Sequence, residues 1–174
     1  SDGRKIQILD QKNRDVLLSY INSISSEKFA YNEKGYLYNT GKESKEGKSK
    51  LYTQRINDAI NKEYLTIVIE IDDSYTNNGV MYSLSQKGEG ATWNIDNKTV
   101  GVIVSGKEHK TKDQKDATLT QSPAEILLHE LVGHAIPIIS PSSTFDTGNA
   151  IDNENLIRKE IGLPMRQEDK KHVE

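Results

Sequence analysis

Apolar residues recur along the chain with two different periods, and these periods predict a mixture of strands and helices. Every second residue over 65–71 is apolar, which predicts a strand with one buried face. Helical spacing predicts helices over about 11–24 and about 51–63. Two further helices are predicted over about 123–136 and 151–161, in the last third of the chain.

The remaining segments divide into short strands and polar loops. Strand-like patterns lie near 4–9, 79–84, 91–95 and 99–105, and a hairpin is predicted over 29–38. Small and polar residues predict loops over 40–50 and 106–120, and the charged segment 165–174 predicts a polar C-terminal tail that frays. The sequence therefore predicts an α+β fold, with a single domain over 1–164.

The composition excludes several classes of protein. The chain has 174 residues and no cysteine, which rules out disulfides and cysteine-ligated zinc. Its 23 basic and 26 acidic side chains give a net charge of −3, so we expect no nucleic-acid partner. The most apolar stretch, 126–139, is too short to span a bilayer, and we expect no membrane partner. No signal-peptide pattern is visible, and the chain opens on serine, so we expect it to be part of a longer protein.

The segment that carries chemical information is a predicted helix with two histidines and a glutamate. Ser122 is its N-cap candidate, and Glu125 completes a capping box. His129, Glu130 and His134 then follow in the run His-Glu-Leu-Val-Gly-His. A catalytic zinc site needs neutral imidazoles that converge on one point, and a carboxylate that can move a proton.

The spacing of the two histidines predicts a distorted helix. The familiar motif is His-Glu-x-x-His, whereas His129 and His134 are five residues apart. On a regular α-helix, steps of five separate side chains by about 140°. A π-helical turn brings such positions onto one face, and Gly133 makes that loosening easier. The sequence therefore predicts a metal-binding pair only if the helix is distorted near Gly133.

A third metal ligand is expected from a later segment. Glu154 lies 20 residues past His134, on the predicted helix over 151–161. Its alternative role is an i,i+4 salt bridge with Arg158. Three other acidic residues are alternative ligands that the residues alone do not rank: Asp146, Asp152 and Glu160.

The histidine–glutamate run resembles the active-site motif of the zincin metallopeptidases. In its five-residue spacing it is similar to the dipeptidyl peptidase III family, whose motif is His-Glu-x-x-Gly-His with a glutamate from a later helix. That similarity covers the six residues 129–134.

A longer resemblance covers about residues 122–166. The pattern His-Glu-Leu-x-Gly-His-Ala, followed by Asn-Ala-x-x-x-Glu-Asn-x-Ile-Arg-x-Glu-x-Gly-Leu-Pro-x-Arg, ends here at Arg166. It resembles the effector-type zinc metallopeptidase domains at the C-termini of Rhs-repeat and other polymorphic toxins. The opening Asp2-Gly3-Arg4 also looks like the stretch that ends an Rhs core. Members of this family usually space their histidines by four, so the spacing here is a departure.

This resemblance implies a fold, a site and a setting. The fold would be zincin-like, with a small mixed sheet packed on the active-site helix and a following helix that supplies the third ligand. His129, His134 and Glu154 would be ligands of Zn²⁺, Glu130 the general base, and Arg158 a brace for Glu154 or a substrate contact. The partners would be a protein or peptide substrate and an immunity protein, and the protein would be a secreted or translocated bacterial effector.

The remaining functional residues are less well defined. Four side chains are candidates for stabilising the oxyanion: Tyr64, Tyr75, Tyr82 and His109. His109 is expected to be only solvated in a polar loop, and His172 to be inert in the tail. In zincins an edge strand holds the peptide by backbone pairing, and the strand over 99–105 is the candidate. Core positions rather than cleft positions are expected for Trp93, Val100, Val102 and Val104.

Three functions fit the sequence. The favoured one is a zinc-dependent peptidase that acts as a toxin or effector domain. The second is a catalytically inactive zincin-like domain that binds a partner or holds a structural metal, which the longer histidine spacing favours. The third is hydrolysis of another amide or ester by the same site.

A basic loop of lysines at 107, 110, 112 and 115 is interrupted by acidic residues, which indicates a solvated loop.

Overall fold

The computed structural model describes residues 5–62 and 64–168 of the protein. Helices cover Arg14–Asn22 (α1), Lys50–Ile60 (α2), Pro123–Leu128 (α3), Ile136–Ile139 (α4) and Ala150–Glu160 (α5). Between α3 and α4 the chain forms a π-helix over His129–Ala135, here called the π segment. The predicted α+β class is confirmed. Three features of the sequence analysis lie outside the described residues: Asp2-Gly3-Arg4, the end of the predicted helix 51–63, and His172.

Strands alternate with these helices and also form three hairpins. The strands are Ile6–Ile8 (β1), Glu27–Tyr31 (β2), Leu37–Glu43 (β3), Thr66–Ile71 (β4), Ser74–Asn77 (β5), Val80–Ser83 (β6), Gly90–Asn94 (β7), Thr99–Val104 (β8), His109–Lys112 (β9) and Thr118–Gln121 (β10). The antiparallel pairs β2–β3, β5–β6 and β9–β10 form the hairpins.

A four-stranded mixed sheet in the order β1–β4–β8–β7 is the framework on which the helices pack. β1, β4 and β8 are parallel, whereas β7 pairs antiparallel with β8. β7 therefore forms one edge of this sheet. The expectation that the strand over 99–105 is the edge strand is wrong, because β8 is paired on both sides.

The two faces of the sheet have different surroundings. One face presents the buried residues Ile6, Ile8, Ile67, Ile69, Val100 and Val102, which form a core with α1, α2, α3 and the π segment. The predicted core positions of Val100, Val102 and Val104 are confirmed. On the opposite face Ala91 and Ile103 pack with Leu84 in a smaller cluster, which the β5–β6 hairpin covers through Tyr75.

Several local predictions need correction. The segment 106–120, predicted as a loop, contains the hairpin of β9 and β10, because its polar residues pair through their backbones at the surface. β5 was not predicted, and β3 continues to Glu43 into the predicted loop. Arg166, assigned to the polar tail, is 7% exposed and bridges to Asp113 after β9. Within residues 5–62 and 64–168, no helix has the length and hydropathy needed to cross a membrane.

Candidate metal centre

The two histidines of the motif converge because the helix between them is π-helical. Ser122 caps α3 in a capping box with Glu125, and the helix changes to i→i+5 bonding at His129. His129 Nε2 and His134 Nε2 lie 3.2 Å apart, and their rings meet edge to face at 77°. The distortion that the five-residue spacing requires is therefore present, at the predicted position.

Gly133 has a packing role in this distortion. A Cβ at Gly133 would lie 3.0 Å from Ala150 Cβ and 3.2 Å from the Ala150 carbonyl oxygen. The π segment thus approaches the first turn of α5 so closely that a side chain at this position would require its neighbours to shift. Asn153 of α5 also donates a hydrogen bond to the Val132 carbonyl at 3.2 Å. These contacts fix the position of the π segment, which carries the histidines, against α5, which carries Glu154.

Glu154 contacts Nδ1 of His129, whereas Nε2 of the same ring faces His134. Its Oε1 lies 2.7 Å from His129 Nδ1. Because an ionised carboxylate can only accept, Nδ1 carries the proton and donates it to Glu154. The tautomer defined in this way leaves the Nε2 lone pair of His129 directed toward His134. Imidazoles that bind a metal through one nitrogen usually donate a hydrogen bond from the other nitrogen to a carboxylate, which fixes the orientation of the ring.

Glu154 is fully buried, and basic groups surround it. Arg158 Nε donates to Oε2 at 2.5 Å, Arg166 Nη1 to Oε1 at 2.8 Å, and Gln121 Nε2 to Oε2 at 3.3 Å. Burial alone would raise the pKa of Glu154, but the hydrogen bond from the His129 imidazole and the charges of Arg166 and Arg158 lower it to about 2. The side chain is therefore ionised at neutral pH and holds His129 in one orientation.

Arg158 links the two helices of the site. Its Nη2 also pairs with Glu125 Oε1 at 2.9 Å, so it joins the start of α3 to α5. Of its two predicted roles, bracing Glu154 agrees with a side chain that is 1% exposed, whereas substrate contact does not.

Glu130 lies on the opposite side of His129, beside the edge strand. It is buried, and its Oε1 accepts a hydrogen bond from Thr92 Oγ1 at 2.9 Å. Burial raises the pKa of Glu130, and the neighbouring His129 imidazole and the Thr92 hydrogen bond oppose this rise. A carboxylate whose pKa is shifted toward neutrality is suited to accept a proton and release it again.

His129, Glu130 and His134 offer one ligand atom each, and these atoms lie within 4.8 Å of one another. We call this set the His–Glu–His group. Two nitrogens bound to one tetrahedral Zn²⁺ are about 3.3 Å apart, close to the separation of the two Nε2 atoms. The donor chemistry and the carboxylate behind His129 both fit a zinc-type ion.

The His–Glu–His group opens into a cleft of about 700 Å³ between the edge strand, the π segment and the β9–β10 hairpin. Gly90, Thr92 and Trp93 of β7 line one side of the cleft, and Gln121 and Arg166 line another. A Cβ at Gly90 would lie 2.7 Å from Ile126 and 3.2 Å from Glu130, so a glycine is needed where β7 meets α3 and the π segment.

β7 presents unpaired backbone groups toward the cleft. Ser105 N donates to Glu89 O, and Ile95 N to Thr99 O, at the two ends of the ladder with β8. Because hydrogen-bonded pairs alternate along an antiparallel ladder, Ala91 and Trp93 also bond to β8. The N–H and C=O groups of alternate residues, Gly90, Thr92 and Asn94, therefore point away from β8, and no strand of the described residues pairs with that edge.

The other predicted ligands and catalytic candidates lie in different surroundings. Glu160 accepts hydrogen bonds from Lys50 N at 2.9 Å and Leu51 N at 3.2 Å, so it caps α2. Asp146 accepts from Gly148 N and Asn153 Nδ2, and Asp152 is exposed on the first turn of α5. None of these three belongs to the His–Glu–His group.

The expectation that His109 lies in a polar loop is wrong. His109 is half-buried on β9 and lines the cleft, because the segment 106–120 folds back as a hairpin. Burial and the charge of Arg166 lower the pKa of His109. Trp93 packs against the smaller cluster, as a core position predicts, and it also lines the cleft. Tyr64 is 81% exposed and lies at a separate, shallower pocket.

Thr92, Gln121 and Arg166 contribute to the site but were not singled out as site residues from the sequence. Arg166 ends the longer motif, which was the one available signal. Thr92 and Gln121 carry no local pattern, because they reach the site only through the pairing of β7 and β10.

The chain was compared with known families, curated proteins and solved structures. No match was found in any of the three comparisons.

Proposed function

We propose that the protein is a zinc-dependent peptidase. The observation that carries this proposal is the π segment, which brings His129 Nε2 and His134 Nε2 to 3.2 Å despite their five-residue spacing. A π-helical turn is rare, and such turns frequently occur at functional sites. The motif and the donor set support zinc as the metal.

The residues of the site divide into three roles. His129 and His134 hold the metal, and Glu154 fixes the orientation of His129 through Nδ1. Zn²⁺, when bound, would polarise the scissile carbonyl and lower the pKa of water. Glu130 accepts a proton from the attacking water and transfers it to the departing amine. The ligand role of Glu154, which the family resemblance implies, stays a prediction, since both of its oxygens already accept from arginines.

The edge strand supports a peptide as the substrate. An extended peptide can pair with the outward N–H and C=O groups of Gly90, Thr92 and Asn94. Thr92 also donates its side-chain hydrogen bond to Glu130, so a peptide bound at this edge would pass next to the general base. Toxin or effector activity and an immunity partner come from the sequence resemblance alone.

Glu130→Gln tests the proposal. The substitution keeps the shape of the side chain and removes its basicity, so we expect loss of peptide cleavage by at least about 1,000-fold with zinc content and folding unchanged. Cleavage would be measured on a library of unstructured peptides, by mass spectrometry. A matched control is Glu43→Gln, an exposed residue of β3, which should cleave at the wild-type rate. Undiminished cleavage by the Glu130→Gln protein would contradict the proposal.

A non-catalytic metal-binding module is the second candidate. The observation that favours it is the pairing of Glu154 with two arginines, which leaves that carboxylate engaged outside the His–Glu–His group. This alternative predicts one zinc per chain and no turnover of any peptide by the wild-type protein. The same library therefore separates the two candidates.

A further inference from the structure

Tyr75 is held rigidly at the side of the cleft by an aromatic stack. Its ring stacks with Tyr82, at a centroid distance of 5.2 Å, and with Trp93, at 4.3 Å. The interplanar angles of 21° and 23° show that both neighbours are close to parallel with the Tyr75 ring. Because two aromatic neighbours stack with it and it packs against the Leu84 cluster, the ring has little freedom to turn away, and its hydroxyl is pre-positioned.

The Tyr75 hydroxyl shares the cleft with the general base. Tyr75 lines the same cleft as His129, Glu130 and His134. Burial, the neighbouring Tyr82 and the charge of Glu130 together raise the pKa of Tyr75, so the hydroxyl lies within electrostatic range of the Glu130 carboxylate and stays protonated. Within residues 5–62 and 64–168 this hydroxyl has no hydrogen-bond partner. A rigid O–H donor is therefore available to a bound substrate.

We propose that the Tyr75 hydroxyl donates a hydrogen bond to the carbonyl oxygen of the scissile peptide bond and stabilises the negative charge that this oxygen gains when water attacks. The inference rests on the proposed peptidase function and adds a catalytic residue to it. No proton is transferred to the oxygen; the hydrogen bond strengthens as charge develops. A donor fixed before the reaction stabilises such charge without reorganisation, which is the requirement for oxyanion stabilisation.

The other candidates for this role are less well positioned. Tyr64 is 81% exposed and lies outside the cleft. Tyr82 stacks with Tyr75, is not among the residues that line the cleft, and carries Lys87 over its own ring at 4.8 Å. His109 lines the cleft beside Gly88 and is the rival donor.

Tyr75→Phe removes the hydroxyl and keeps the ring in the stack. We expect kcat to fall by about 100-fold while KM changes by less than about threefold, because the hydrogen bond is made mainly in the transition state. Tyr82→Phe is the matched control from the same stack and should retain wild-type kcat. Fluorescence of Trp93, the one tryptophan of the chain, reports whether the stack is intact in each variant.

A binding measurement gives a second readout. A phosphinic peptide carries a tetrahedral, negatively charged group at the scissile position, so its affinity should fall by about 100-fold in Tyr75→Phe and by less than threefold in Tyr82→Phe. An ordinary peptide should bind equally well to Glu130→Gln with and without Tyr75→Phe. An equal kcat in Tyr75→Phe and Tyr82→Phe, an effect on KM alone, or a loss seen only in His109→Ala would each overturn the inference. If the wild type neither cleaves peptides nor binds the phosphinic peptide, the proposed function itself is wrong.

Discussion

Glu130 and Glu154 are both buried beside His129, yet their neighbours drive their pKa values in opposite directions. Glu154 is surrounded by two arginines and an imidazole N–H, which lower its pKa to about 2. Glu130 receives one hydroxyl hydrogen bond and faces the cleft, so burial dominates and raises its pKa. When the environments of two carboxylates shift their pKa values in opposite directions, the one with the lowered pKa typically stays charged and the one with the raised pKa transfers protons. We therefore assign orientation to Glu154 and proton transfer to Glu130.

The role of Glu154 is tested by Glu154→Gln. A side chain that only orients His129 contributes to metal affinity indirectly, so we expect zinc to bind about 10- to 100-fold more weakly, with one zinc per chain at saturation. Competition with a chelating dye would measure the affinity. Glu43→Gln should bind zinc as the wild type does. Complete loss of zinc, as expected for His129→Ala, would contradict the orienting role and support the ligand role that the family resemblance implies.

Among the helices, the site depends on the π segment, which continues α3 and packs against α5. The capping box of α3 and the five-residue histidine spacing were readable from the sequence, because both are local. The close contact of Gly133 with Ala150 was not, because it depends on where α5 packs. The same limit applies to Arg166, which reaches the site through a bridge to Asp113. Local patterns therefore predicted that the two histidines converge, but not the long-range contacts that hold them in place.

Gly133→Ala tests the helix contact. The added Cβ would lie 3.0 Å from Ala150 Cβ, so α5 must move away from the π segment. We expect a loss of about 1–3 kcal/mol in the free energy of unfolding, measured by urea denaturation, together with weaker zinc binding. Gly79→Ala is the control, since a Cβ there has nothing within 4 Å, although its φ of +77° adds local backbone strain. Wild-type stability and zinc affinity in Gly133→Ala would show that the contact is not required.

The edge strand β7 gives a separate prediction at the level of single amides. A peptide that pairs with this edge should slow hydrogen exchange at Gly90, Thr92 and Asn94. Ala91 and Trp93 already bond to β8, so their exchange should change little. NMR-detected exchange of the Glu130→Gln protein, with and without a non-cleaved peptide, measures this alternation. Equal protection of all five amides, or none, would contradict pairing along β7.

At the scale of the whole molecule, helices pack on one face of the four-stranded sheet. The cleft lies where the edge strand β7 meets the π segment. The sequence predicted the α+β class and most helices, because their periods are local. It missed the identity of the edge strand, since the order β1–β4–β8–β7 depends on long-range pairing. It also missed the β9–β10 hairpin, whose residues are polar and pair mainly through the backbone.

The buried charges of the site should make the stability of the metal-free protein depend on pH. The pKa of Glu154 is lowered to about 2 in the folded protein, from an ordinary value of 4.5. Its contribution to stability is therefore full above about pH 4.5 and is lost as pH falls toward 2. We expect the free energy of unfolding of the wild type, in the presence of a chelator, to fall more steeply over this range than that of Glu154→Gln. Parallel profiles for the two proteins would contradict this assignment.

The central claim is that His129 and His134 converge on one zinc ion although they are five residues apart. Elemental analysis of protein purified without chelator tests it directly, with His129→Ala, His134→Ala and Glu130→Gln measured in parallel. We predict about one zinc per chain in the wild type and Glu130→Gln, and none in either histidine variant. A wild-type protein that contains no zinc and takes up none at neutral pH would contradict the claim.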